Sequence, residues 1–190
     1  MAHDPKQTII DFLSTPLAEP NSPFVVESAA KPRKGILRTS GGLGAIASTI
    51  HFLKERTLPR HQAHIVAFED TMGQIWEFTC FIVQEKQDDW VFKGGGGGSA
   101  QRTDGHRQPR ANLAGGWGAE GGFYAGGPVS DNGLNVVRVN LVTGNGLVFE
   151  DTVEDGRVLF VTDKNVLGPV RAQLYNSSGK LVSSHTTFNI

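Results

Sequence analysis

A single cysteine, Cys80, is all the chain has, so neither an intramolecular disulfide framework nor a cysteine-rich zinc module holds it together. It also lacks any run of roughly 18 consecutive apolar residues, which excludes a membrane-spanning helix. The opening residues MAHDPKQTII contain no apolar stretch long enough for a signal-peptide core, so the chain as written is expected in the cytoplasm unless a leader has been removed. Excess charge is missing too: 18 Lys+Arg against 19 Asp+Glu leave a formal charge of −1, which removes any whole-protein attraction to nucleic acid or anionic lipid. No G-x-x-x-x-G-K-[ST] motif and no internal repeat of fixed period occur.

What remains is a chain of 190 residues, 38% hydrophobic and 19% charged, with 24 glycines. That length and balance suit one domain of mixed build or two small ones with a real core, and the glycine content implies much turn and close-packed backbone.

Asp4-Pro5-Lys6-Gln7 carries the chemistry of a helix start, with Asp as N-cap, Pro at the first helical position and Gln placed to reach back to the cap. Ile9, Ile10, Leu13 and Leu17 recur at helical spacing, and Pro16 biases Thr15 out of the helix, so about three turns are expected. Residues 19–35, with Pro20, Pro23, Pro32 and Gly35, read as an irregular connection holding at most a short strand around Phe24-Val25-Val26. Residues 43–58 fit either a helical stripe (Leu43, Ile46, Ile50, Leu53) or a long strand. The strand is preferred because a β-meander follows, through His64–Phe68, Ile75–Val83 and Trp90–Phe92. These elements predict one antiparallel sheet covered by the N-terminal helix.

More than half of the glycines fall between Gly94 and Gly127. Lys93 followed by five glycines and Ser99 has the composition of a flexible coil linker, so residues 94–115 are expected to join a helix-covered sheet unit, 1–93, to a second unit, 116–190. In that second unit short strands are predicted at 122–124, 135–142, 146–153, 158–162, 169–174 and 181–188. Turn chemistry separates them at Asp131-Asn132-Gly133, Gly144-Asn145-Gly146, Glu154-Asp155-Gly156 and Asn176-Ser177-Ser178-Gly179. Val137, Val139 and Leu141 alternate with Arg138 and Asn140, as a strand with one buried and one wet face requires. The fold class is therefore mainly β, with a C-terminal β-sandwich of which an immunoglobulin-like layout is one form.

Few residues carry chemistry. Gly116-Trp117-Gly118-Ala119-Glu120-Gly121 matches G-x-G-x-x-G, but no strand-to-helix context surrounds it, so it reads as backbone that bends or passes close to a neighbour. His61 and His64 point to opposite faces of a strand, and no metal or cofactor is expected. Glu150, Asp151, Glu154 and Asp155 read as the polar face and turn of a hairpin. Arg102, His106, Arg107 and Arg110, and separately Lys31, Arg33, Lys34 and Arg38, are the basic clusters; the first is the candidate anion site, although solvated loop residues explain both. Cys80 alternates with Trp76, Phe78 and Ile82 on an apolar face and reads as inert packing. Trp117, Phe123 and Tyr124, embedded in glycine, form either core packing or, with Trp76, a contact surface for a partner.

Two functions follow as expectations. The first is a non-catalytic binding or self-assembly module that meets a protein partner or a copy of itself through edge strands or the aromatic-glycine stretch. The alternative is a small-molecule pocket protein or enzyme on the N-terminal sheet, with His51, His64 and Glu77 as candidate catalytic groups and Trp76 beside them.

Overall fold

In the structure, a computed structural model, residues 4–16, 43–86, 89–99, 108–118 and 122–189 are described. The expected short strand at Phe24-Val25-Val26, the basic residues Lys31, Arg33, Lys34, Arg38, Arg102, His106 and Arg107, and the end of the G-x-G-x-x-G stretch lie outside them.

The single α-helix among the described residues, α1 (Pro5–Ser14), starts as its sequence predicts, with the Asp4 carboxylate accepting the Lys6 backbone N–H at 2.9 Å. Gln7 does not reach back to the cap; its amide donates to Asp11 Oδ1 one turn on, at 2.7 Å, an i,i+4 pairing that helix geometry favours. Thr15 leaves the helical region with ψ 134°, as a residue before proline must. Ile9 and Leu13, one turn apart, are fully buried.

Four antiparallel strands form the first sheet, in the order β1 (His51–Thr57), β2 (His61–Glu69), β3 (Ile75–Lys86) and β4 (Asp89–Ser99). The strand expected over 43–58 begins only at His51, because Ala47–Thr49 is one turn of 3-10 helix. Hydrogen bonds to the end of β2 hold that turn: Ile46 N–H donates to Glu69 O, and the Thr49 hydroxyl accepts the Glu69 N–H at 3.0 Å.

The glycine run corrects the sequence reading outright. Gly94–Gly98 is not coil but the second half of β4, paired residue by residue with β3 from Phe81↔Gly94 to Glu77↔Gly98. Packing explains why glycine is needed in the strand. A Cβ on Gly95 would sit 2.2 Å from the Phe78 ring, and one on Gly97 would sit 2.2 Å from the Glu77 carbonyl oxygen. Phe78 thus lies across the neighbouring strand, where its ring covers backbone that has no side chain of its own.

A second sheet is centred on β7 (Phe123–Ser130), with β10 (Arg157–Thr162) along one side and β5 (Arg110–Ala111) and β6 (Ala114–Trp117) sharing the other. The third has the order β12 (Leu181–Phe188), β11 (Val170–Asn176), β8 (Val136–Val142), β9 (Val148–Thr152). Every paired strand is antiparallel, and the molecule is mainly β, as the sequence predicts. Asp155 and Gly156, at φ 48° and 73°, make the tight turn expected between β9 and β10.

The alternation of side chains stacks these parts into layers. Ile9 and Leu13 of α1 meet Val66, Phe68, Trp76, Phe78, Cys80 and Ile82 on one face of the first sheet. The opposite face of the same strands supplies Ala63, Ile65, Phe81 and Val83 to a core shared with Tyr124 and Leu159 of the second sheet. Neighbouring residues in those strands, Phe123, Ala125, Val158 and Phe160, turn the other way to meet Val139, Leu141, Ala172 and Leu174 of the third sheet. The first two sheets are therefore apolar on both faces, which is why β3 reads as a continuous hydrophobic run. A fully buried Phe81 contributes about 1.5–3 kcal/mol.

Candidate functional site

The expected catalytic residues do not converge. His51 opens β1 and is exposed. His64 faces the helix side of the first sheet, against Phe52, whereas Glu77 faces the second sheet and accepts from Arg157 Nε and Nη2 at 3.0 and 2.9 Å. Trp76 and Glu77 are adjacent in a strand and so lie on opposite faces. Trp76 is interior, its indole N–H donating to Asp70 Oδ2 at 2.8 Å. The same carboxylate accepts the backbone N–H groups of Met72 and Gln74. Burial pushes the Asp70 carboxyl up, but these donors outweigh it and hold it below its ordinary value.

His64 is 1% exposed. Its Nε2 lies 3.0 Å from Gln62 Oε1, so Nε2 carries the proton and Nδ1 is left as an acceptor. Nδ1 has no hydrogen-bond partner among the described residues and lies 3.9 Å from Glu55 Oε2, which itself takes the Lys6 ammonium at 2.9 Å. Burial pushes the imidazole down to about 4, against the opposing pull of the Glu55 carboxylate, so His64 is neutral at physiological pH. Glu55 is held below the usual carboxylate range, first by its hydrogen bond from Lys6. His61 points the other way, stacked on Phe81, which stacks in turn on Tyr124. The two histidines therefore take opposite faces, as their spacing predicts. Cys80 is fully buried, and desolvation pushes its thiol far up, leaving inert packing.

The aromatic-glycine stretch is used inside the molecule. Phe123 is fully buried and Tyr124 nearly so. Trp117 packs edge-on against Phe123 and Phe188, and its indole N–H donates to Val166 O at 2.6 Å. Phe123 and Tyr124, expected as contact residues, thus present no surface to a partner in this fold. Of the anion-site candidates only Arg110 is among the described residues; it is half-buried in β5, opposite Ser130.

The strongest polar cluster joins Asp151, one of the four carboxylates read as a hairpin's polar face and turn, to Lys54 and Arg56, which the sequence alone does not mark. Lys54 of β1 places its Nζ 2.8 Å from Asp151 Oδ2 and 2.7 Å from Thr152 O. Asp151 Oδ1 takes Arg56 Nη2 at 2.6 Å and Oδ2 also accepts the Leu159 N–H at 2.7 Å. The signal was present: alternation that puts Glu150 and Thr152 in solvent puts Asp151 inside with Phe149. Lys54 Nζ and both Asp151 oxygens find partners, so this cluster ties layers together.

Edge strands differ sharply in how they are guarded. β1 carries Lys54, Glu55 and Arg56, β9 carries Glu150 and Asp151, β10 begins at Arg157, β5 holds Arg110, and β4 holds Asp89 and Lys93, while β6, also uncharged, is only four residues long. β12 reads Leu-Val-Ser-Ser-His-Thr-Thr-Phe, with no Lys, Arg, Asp, Glu or Pro, and among the described residues it pairs only with β11. Ser184 and Thr186 are exposed, Leu181 is 45% exposed, and Val182 and Phe188 pack on the core. Among the described residues no helix is long and apolar enough to cross a membrane. No protein-family model, no curated protein and no solved structure matches the chain.

Proposed function

We propose that the protein is a non-catalytic binding or self-assembly module that works through protein–protein contact at a sheet edge. One observation carries this reading: β12 is an eight-residue edge without a single charge or proline, and such an edge is a template for another strand. The polar groups elsewhere support it, because Lys54, Asp151, Glu77, Arg157, Asp70 and Trp76 are all engaged within the fold. Native mass spectrometry of the purified chain tests the reading. A discrete complex of protein subunits is expected; a monomer that retains a small molecule overturns it.

The His64 site favours a second reading, a small-molecule pocket or enzyme on the first sheet. A neutral imidazole with an unpartnered Nδ1 beside Glu55 is a general base in form. If that reading holds, His64→Gln releases the retained molecule while His51→Gln, at an exposed position, leaves it bound.

A further inference from the structure

Resting on the assembly reading, we infer that the strand meeting β12 is β12 of a second copy, antiparallel across a two-fold axis, with His185 opposite its own counterpart. Directly opposed residues in an antiparallel pair share a face of the sheet, and only this register satisfies both faces of β12. It sets exposed Ser184 of one copy against the second copy's Thr186, also exposed. It sets Val182 against the second copy's Phe188, both of which pack on the core beneath the third sheet. Sliding the pairing by one or two residues places an exposed hydroxyl opposite a core-facing side chain, the fault that fixes register wherever one face is buried.

The strand also has the symmetry that this requires. Its pairing with β11 shifts register once on each side of the Ser183–Thr186 segment, between Leu174 and Tyr175 and between Val170 and Arg171. The extra residues, Val182 and Thr187, therefore fall on both flanks. The inward and outward pattern reads the same in either direction from His185, so two copies present matching edges.

Charge points to a copy of the chain too. A two-fold pairing brings like residues close to one another across the axis, which penalises any charged edge; β12 carries no formal charge, and the whole chain carries only −1. The far edge of the same sheet, β9, is short and acidic and is tied to β1 through Asp151. A symmetric β12 contact thus uses up the open edge and closes at two copies rather than growing into a filament. The regular segment is short, so the dimer sits at the weak, concentration-dependent end of the interface range.

Two sets of variants decide the matter with the full-length chain. Sedimentation over a concentration series reads the dimer, and Ser184→Lys with Thr186→Lys, both at exposed positions, is expected to weaken it tenfold or more while leaving the thermal midpoint unchanged. Oxidation of a mixture of Ser184→Cys and Thr186→Cys proteins is expected to give a covalent dimer, whereas either protein oxidised alone gives none; the native thiol, Cys80, is fully buried. A dimer that ignores the lysines and does not cross-link overturns the edge assignment but leaves self-assembly standing. A monomer at every concentration overturns pairing with a second copy, and the assembly reading itself falls separately if that monomer carries a small molecule in native mass spectra.

Discussion

Lys54 Nζ lies 2.8 Å from Asp151 Oδ2, with side chains only 3% and 6% exposed, and the pair joins the first sheet to the third. Arg56 adds a second cation to the same carboxylate at 2.6 Å. Removing one partner from such a pair strands the other in a low-dielectric interior, a loss of about 3–5 kcal/mol. Asp151→Leu is therefore expected to lower stability by about that amount in urea titrations, because it leaves the buried Lys54 ammonium without its buried carboxylate. Asp151→Leu combined with Lys54→Met should recover part of the loss, since that stranded ammonium is then gone; a double variant no better than the single one would show that the pair's geometry, not its burial, dominates.

His64 sets a pH dependence. Its folded value, about 4, is below the ordinary imidazole value of about 6.5, so the fold favours the neutral ring. The associated stability is complete above about pH 6.5 and is lost as pH falls, because the unfolded chain takes up a proton that the folded one refuses. The total is on the order of 3 kcal/mol. His64→Leu should flatten the stability profile between pH 6.5 and about 4. An unchanged slope would mean that other groups carry it.

Neighbouring glycines in β4 should respond differently to alanine. A Cβ on Gly97 meets backbone, 2.2 Å from Glu77 O and 2.7 Å from Phe78 Cα, and backbone in a paired strand has nowhere to go. Gly97→Ala is expected to destabilise by about 1–3 kcal/mol or more. A Cβ on Gly96 meets Ala114 Cβ at 3.4 Å and the Gly115 backbone nitrogen at 3.6 Å, near or within ordinary contact, and the alanine restricts the unfolded chain, so Gly96→Ala should fall within about 1 kcal/mol of the parent in either direction. Equal losses at both positions would contradict the pairing of this strand with β3.

Arg157 grips Glu77 with two N–H donors on one oxygen, at 3.0 and 2.9 Å. Arg157→Lys loses the fork geometry and is expected to cost about 1 kcal/mol. Glu77→Gln should cost a similar amount. A double-mutant cycle in chemical denaturation should show coupling, with the combined loss smaller than the sum; strict additivity would remove Arg157 as the partner that matters.

Much of this fold is legible in the local sequence. The Asp4 cap, the stop at Pro16, the β-rich second half and its Gly-containing turns all depend on local rules, steric or hydrogen-bonding, that act within a few residues. The burial of Cys80 on a strand with Trp76 and Phe78 follows from a period of two. What alternation also implied, that Asp151 points inward, is obscured because four carboxylates within six residues look like solvent-facing residues; only the arrival of Lys54 and Arg56 from a strand remote in sequence makes that position tenable.

By itself, then, the sequence determined the N-terminal helix, the mainly β class and where most of the strands lie, since each is a matter of nearby backbone and side chains. Tertiary structure alone decided three things. Glycine at 94–98 has no local preference for strand, and it is strand because β3 supplies hydrogen-bond partners and Phe78 covers it. Phe123 and Tyr124 are core rather than surface, with Trp117 half-buried beside them, because the third sheet closes over one face of their own sheet and the first sheet over the other. His64 and Glu77 are on opposite sides of one sheet, and each side acquired its own packed layer. In every case the deciding interaction joins residues far apart in the chain, where neither propensity nor periodicity carries information.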